Sequence, residues 1–259
     1  MARYQVILAY DGTEFVGFQR QAQGEKSRTV QAVIETALRR IGWPGRLILA
    51  AGRTDAGVHA LGQVVAFDLD WSHGEQDLLV ALNANLPPDV AVQAVFERQA
   101  DFHPRYAALS RSYRYCIFCR PVRDPLRERY AWRVWPAPEL ERLQASAKEL
   151  VGTHDFAAFG TAPHRGGATV RQVLEAVWRV QADEFTFEIT ANAFLYRMVR
   201  HLVGLQVSIG QGALEPAVIG QCFQSGSRQL AKALAPAQGL SLLQVVYPET
   251  GIEKPGDES

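Results

Sequence analysis

Cysteine is scarce. The 259 residues carry three, Cys116, Cys119 and Cys222, an odd and sparse set that argues against a disulfide scaffold. Long apolar runs are missing as well. None reaches the roughly 18–20 residues that a membrane-spanning helix needs. The opening decapeptide, residues 1–10, has no small-residue cleavage site before Asp11-Gly12 intervenes, so it reads as a strand and not as a signal segment. The expectation is a cytoplasmic protein with no membrane partner. Net charge is also lacking: 27 basic residues balance 27 acidic ones, which by itself weighs against a nucleic-acid binder.

Lysine is the most telling shortage. Only Lys26, Lys148, Lys232 and Lys254 are present, so the rest of the 27 basic residues are arginine. Arginine stacks on bases and grips phosphate in bidentate fashion, which lysine does less well. Eight arginines (105, 111, 114, 120, 123, 127, 129 and 133) fall in residues 102–135, against Asp124 and Glu128 alone, with Tyr106, Tyr113, Tyr115, Phe118 and Tyr130 interleaved. A solvated, salt-bridged surface would give the same composition. The alternative is an RNA-facing patch. With 47% hydrophobic and 21% charged residues, the chain has ample material for a core.

The elements come in a repeating order. Residues 3–10 read as a strand. Thr29 then caps a helix with apolar positions Val30, Val33, Ile34, Ala37, Leu38 and Ile41, which Gly42 ends. Residues 46–51 and 62–69 read as short strands. Ser72 and Glu75 have capping-box spacing ahead of Leu78, Leu79 and Leu82. Residues 90–97 return as a strand.

The second half repeats β-α-β-β-α-β. It has a strand at 110–119 and a helix from Pro138 to Gly152. A hairpin follows at 171–190 around Ala182-Asp183, then a helix at 194–209, a short helix near 214–223 and a last strand at 240–247. Two such units predict an α+β fold: two ferredoxin-like halves, 1–105 and 106–248, joined into one mixed, mainly antiparallel sheet with helices on one side. Residues 249–259 form an acidic tail expected to be disordered.

One connection stands out chemically. Ala51-Gly52-Arg53-Thr54-Asp55-Ala56-Gly57-Val58-His59 lies between two apolar strands yet is small, polar and flexible, with Asp55 its only acid. A turn or cap aspartate is the ordinary explanation. A lone carboxylate on a glycine-bounded connection in mid-unit favours a functional one.

This segment resembles the signature of the tRNA pseudouridine synthase A family, and the resemblance runs through nearly the whole chain. Tyr10-Asp11-Gly12-Thr13-Glu14-Phe15, Asn83-Ala84-Asn85-Leu86-Pro87, Asp101-Phe102-His103-Pro104-Arg105-Tyr106, Arg111-Ser112-Tyr113-Arg114-Tyr115, Asn192-Ala193-Phe194-Leu195-Tyr196-Arg197-Met198-Val199-Arg200 and Gly239-Leu240-Ser241-Leu242 match further motifs in order. Phe18 and Pro104 depart from the usual residues, away from the acid.

The resemblance implies the pseudouridine synthase fold. It implies an isomerase that converts uridine to pseudouridine at positions 38, 39 and 40 of the tRNA anticodon stem-loop, a homodimer, and no cofactor or metal. The glycosidic bond must break, the base must turn, and a C–C bond must form, which a carboxylate can assist as nucleophile or by stabilising a cationic sugar. Chemistry on a stem base also requires flipping it out.

Residue by residue, Asp55 matches the family's nucleophile, Arg200 the basic residue paired with it, and Tyr113 the aromatic that stacks on uracil. Leu242 matches a position that packs against the base. Arg53, Phe102, His103, Arg105, Tyr106, Arg111, Arg114, His164 and Arg165 are the expected RNA contacts. Strand alternation puts Arg111 and Tyr115 on the face of Tyr113, and Arg114 on the other.

Competing readings were a noncatalytic RNA-binding module of ferredoxin-like fold and a small-molecule hydrolase with an aspartate nucleophile. The second would need another acid or a metal near Asp55, and neither is nearby. The lone Cys116-Ile117-Phe118-Cys119 on a strand and the six histidines lack metal-ligand spacing.

Overall fold

A computed structural model describes residues 1–20, 28–164 and 166–248. In chain order its elements are β1 (Ala2–Tyr10), α1 (Val30–Arg40), β2 (Leu49–Ala50), β3 (His59–Leu69), α2 (Glu75–Asn85) and β4 (Val90–Arg98). There follow β5 (Ser110–Phe118), β6 (Trp132–Arg133), α3 (Leu140–Lys148), β7 (Gly152–Asp155), β8 (Val170–Gln181), β9 (Glu184–Ala191), α4 (Met198–Gly210), α5 (Val218–Ser225) and β10 (Leu240–Val246). The expected acidic tail and Arg165 lie outside the described residues.

Local chemistry explains most boundaries. The Thr29 side chain accepts from the Ala32 amide and starts α1. Gly42, just beyond its end, takes a positive φ of 90° that β-carbons disfavour. Ala182 turns the β8–β9 hairpin at φ 53°.

Three expectations need correction. α2 begins after Gly74, whose amide donates to Asp77 Oδ2 at 3.2 Å, so Asp77 and not Ser72 organises that end. Pro138 stands outside α3, and Gly152 opens β7 instead of closing a helix. α4 starts at Met198, four residues later than the periodicity suggested. Tyr196 pairs instead with Thr161, and Arg197 sits in the left-handed region at φ 63°.

The strands form a single sheet of order β4-β1-β3-β10-β5-β9-β8-β7, with β2 beside β3 and β6 beside β5. Within it the two β-α-β-β-α-β units have matching internal orders, β4-β1-β3-β2 and β10-β5-β9-β8. β2 covers only the far end of its edge, Leu49 opposite Ala66. The vacated part of β3 takes β10 in parallel, Ser241 opposite His59 and Leu242 opposite Ala60. The final strand thus welds the units together.

Two cores lie on the helical face. One gathers Val6, Leu8, Phe67, Leu38 and Leu78, and Leu242 joins it from β10. The other gathers Trp178, Phe187, Leu143 and Leu202, and Val58 joins it from the first unit. Trp178 is fully buried and stacks on Phe187 at 5.0 Å, while its indole N–H donates to Gln206 Oε1 at 2.9 Å. Each such aromatic contributes roughly 1.5–3 kcal/mol by burial. Exchange of Leu242 and Val58 between cores makes the seam part of both.

Candidate active site

The connection from β2 to β3 carries Asp55 and is fastened on both sides. Phe18 N–H donates to the Thr54 carbonyl at 3.1 Å, and Gly57 N–H to the Phe15 carbonyl at 3.2 Å. Tyr10 and Thr54 share a hydroxyl–hydroxyl bond of 2.8 Å. A β-carbon on Gly12 would lie 2.1 Å from the Val58 carbonyl oxygen, so that contact requires glycine. At the loop's exit the buried His59 accepts from Gly12 N–H through Nδ1 (3.0 Å) and donates from Nε2 to the Gln238 carbonyl (3.2 Å). Burial lowers its pKa below the ordinary 6.5, against the pull of nearby Asp11, which fits the neutral tautomer those two bonds need.

Asp55 meets the second unit directly. Arg200 Nη1, from the first turn of α4, donates to Asp55 Oδ2 at 2.7 Å, and the two side chains are only 12% and 16% exposed. Arg200 is itself aimed: its Nε donates to the Ala235 carbonyl at 2.8 Å, and Ala235 N–H returns a bond to the Arg200 carbonyl. Arg197 Nε stands 4.0 Å from the same carboxylate oxygen. Asp55 Oδ1 accepts no hydrogen bond among the described residues and is left to the cleft.

That cleft encloses about 620 Å³ and is walled by both units. Tyr113 of β5 lines it, held edge-on against Phe194 with centroids 5.0 Å apart and planes at 82°. Burial pushes its phenol well above the ordinary tyrosine range, so it is a neutral hydroxyl at physiological pH. A partly apolar slot with a paired carboxylate at its base is a geometry that can desolvate a neutral ring beside a charged oxygen.

A family model described as tRNA pseudouridine synthase matches residues 6–107 and 146–248. The chain belongs to that family. The tRNA pseudouridine synthase A of Exiguobacterium sp. is 40% identical over 247 residues, covering 95% of this chain and 98% of that one. Its namesakes from Syntrophotalea carbinolica (38%, 98% and 100%) and Chloroflexus aurantiacus (40%, 96% and 90%) are similar over comparable spans. Among solved structures, an archaeal box H/ACA sRNP Nop10–Cbf5 complex aligns at 12% identity and TM-score 0.36, over 79% of this chain and 44% of that one.

Pseudouridine synthases are isomerases, and this one assembles most of the residues expected from its sequence. Asp55, Arg53, His103, Arg105, Tyr106, Arg111, Tyr113 and Arg200 all line the cleft. Others fall elsewhere. Arg114 is on the opposite sheet face, paired with Glu188 at 2.7 Å. Phe102 packs on Tyr247 at 5.3 Å. His164 is exposed on a turn beyond the cleft lining, and Arg165 is outside the described residues. Leu242 is buried in the first core, and Leu240, two residues earlier on the same face, reaches the cleft instead.

The arginine-rich segment is also more committed than its composition suggested. Arg120 and Arg127 pair with Asp183, Arg123 and Arg133 with Glu128, and Arg129 with Asp11. Arg111 is buried and donates to the carbonyls of Ala51, Arg105, Ala108 and Asn192. It acts as a strut across the site. Of the eight arginines in the segment, only Arg105 has neither an ion pair nor such a bond among the described residues.

Phe194, Arg197, Leu240 and Arg171 are lining residues that the sequence reading did not single out as contacts. Arg197 stands in one of the matched motifs, three residues before Arg200, with no role of its own assigned to it. A left-handed arginine before a helix has no sequence signal, so its swing toward Asp55 was not visible. No three His, Cys, Asp or Glu among the described residues come together as a metal site.

Proposed function

We propose that this protein isomerises uridine to pseudouridine at positions 38, 39 and 40 of the tRNA anticodon stem-loop, with Asp55 as the nucleophile toward a flipped-out uridine. The observation that carries the reading is the Asp55–Arg200 pair, made across the two units at the base of the cleft. Arg200 holds Oδ2, which fixes the carboxylate's orientation and leaves Oδ1 as the reactive oxygen. Fixing a reacting group in this way removes orientational entropy from the chemical step.

Tyr113 provides the face on which uracil stacks, a contact worth roughly 1–3 kcal/mol. It also replaces part of the stacking lost when the base leaves its stem. Leu240 and Phe194 close the slot around the ring, so that the detached base turns without escaping. No electrons are gained or lost and no group leaves, so the residues suffice without a cofactor.

The units 1–105 and 106–248 act as the two jaws of this site. The working form is a cytoplasmic homodimer in which two chains share each tRNA, consistent with a single chain of this length having a radius of gyration of roughly 18 Å. No helix among the described residues is long and apolar enough to cross a membrane.

The decisive experiment uses unmodified tRNA carrying 5-tritiated uridine, since forming the new C–C bond at C5 releases that tritium. Release from stem-loops with uridine at 38, 39 or 40, and none when all three are replaced, is the expected result. Tight binding with no release would instead mark a noncatalytic RNA-binding protein. Sedimentation at micromolar concentration checks the dimer. A fully active monomer would refute it.

A further inference from the structure

Three arginines meet in one corner of the cleft without a carboxylate. Arg111 Nη2 donates to the Arg105 carbonyl at 2.6 Å, and its Nη1 to the Asn192 carbonyl at 2.8 Å. Asn192 is tied in turn to the residue after Arg171: Gln172 N–H donates to Asn192 Oδ1 at 3.1 Å, and Asn192 N–H to the Gln172 carbonyl at 3.0 Å. One short stretch of backbone thus gathers Arg105 from the first unit with Arg111 and Arg171 from the second. All three line the cleft, and none forms an ion pair among the described residues.

Arg171 is the least satisfied of the three. Its Nη1 is held back by the carbonyls of Ala168 (3.0 Å) and Val170 (2.6 Å). Its Nε is buried with no hydrogen-bond partner. Unpaired buried donors are uncommon in native proteins and call for an explanation. Burial lowers the proton affinity of both Arg111 and Arg171; the nearness of Arg105 adds to this at Arg171 and, more weakly and against the pull of Tyr247 and Tyr113, at Arg111. Mutual repulsion and an orphaned donor are relieved together by one ligand: an anion with several acceptor oxygens, the shape a guanidinium fork matches.

We propose that Arg105 and Arg171 form a phosphate-binding corner that takes the backbone phosphodiester beside the flipped uridine, with Arg171 Nε as its buried donor and the strut Arg111 adding its charge behind them. The assignment of an RNA phosphate rests on the synthase reading above. Its place follows from Arg111, which also donates to the Ala51 carbonyl at 3.3 Å. Ala51 lies four residues before Asp55, a span of at most about 14 Å of chain. The corner therefore sets how far the strand can slide past the nucleophile.

The test is tRNA affinity for the full-length protein from about 50 to 200 mM salt. Arg171→Gln is expected to weaken binding and to flatten the slope of log affinity against log salt by about 0.7–0.9, the loss of one phosphate contact. Arg171→Lys should restore most of the slope without restoring the affinity, because the charge returns and the planar fork does not. Arg179→Gln removes the same charge from the opposite sheet face, where Arg179 pairs with Glu188, and should leave the slope as it is.

An unaltered slope in Arg171→Gln, or a loss confined to the rate on bound RNA, would overturn the proposal. Should Arg171→Gln not fold, the exposed Arg105→Gln carries the same test. Tritium release by the unsubstituted protein judges the synthase reading separately. If that release is normal and the slope is unmoved, only the phosphate corner is lost.

Discussion

Asp55 is poised between Arg200 at 2.7 Å and Arg197 at 4.0 Å, and that setting decides what its replacement does. Asp55→Asn keeps volume and can still accept from Arg200, but a charge-assisted bond becomes an ordinary one. The stability loss should be about 1 kcal/mol, a fall of roughly 2–4 °C in melting temperature. If Asp55 is the nucleophile we propose, turnover should fall by at least about a thousandfold, while tRNA still binds. An active Asp55→Asn protein, with deamidation excluded by mass spectrometry, would remove Asp55 from the mechanism. Tyr113 separates two roles in the same way. Tyr113→Ala should weaken tRNA binding by about 5- to 150-fold, the equivalent of one lost base stack. Tyr113→Phe should keep that affinity, so any rate it loses in single-turnover measurements belongs to the hydroxyl.

At the scale of elements, the connection that carries Asp55 is held in shape by its neighbour, the segment after β1. Gly12→Ala would drive a methyl group into the Val58 carbonyl, backbone against backbone with no side chain able to yield. A cost of about 1–3 kcal/mol is expected, together with a lower kcat as the Asp55 loop shifts. Unchanged denaturant midpoints would show that the loop is freer than drawn. The order β-α-β-β-α-β was legible because each long helix and strand buries a periodic face. α4 was misjudged by four residues because Thr161 captures Tyr196 from another part of the chain, and periodicity carries no trace of that contact. β6 and β7 were missed for a similar reason, since strands of two and four residues are defined by their partners. Within the site, Asp55, Tyr113 and Arg200 were legible from motifs. Leu242 and Leu240 share one face of β10, one strand repeat apart, and only the packing of the two units places the first in the core and the second at the cleft. Arg171 was invisible because nothing in a sequence shows a guanidinium left without its counter-ion.

The molecule as a whole should be acid-sensitive well above the carboxylate range. His59, His103 and His201 are each held below the ordinary value of 6.5, with burial the main cause. The unfolded chain takes up these protons near pH 6.5, whereas the folded chain resists until a lower pH. Stability is therefore fully present above about pH 6.5 and declines as pH falls below it. Melting temperatures should drop between pH 7 and 5, less steeply in His59→Gln, and a flat profile would contradict the sign. Asp11 acts later. Burial alone would raise it, but bonds from Thr13 and Tyr130 outweigh that and hold it at about 2, so its share persists above pH 3.8 and is lost toward pH 2. The position of β10 has a consequence of another kind, in time. It is made after every other strand, yet it fills the gap between β3 and β5. At about 5–20 residues per second, β3 waits on the ribosome for some ten seconds or more with part of its edge bare. Nascent chains stalled before residue 240 should hold the first unit folded and release no tritium, because the second unit still lacks β10, and extending them until β10 clears the exit tunnel should switch activity on in one step.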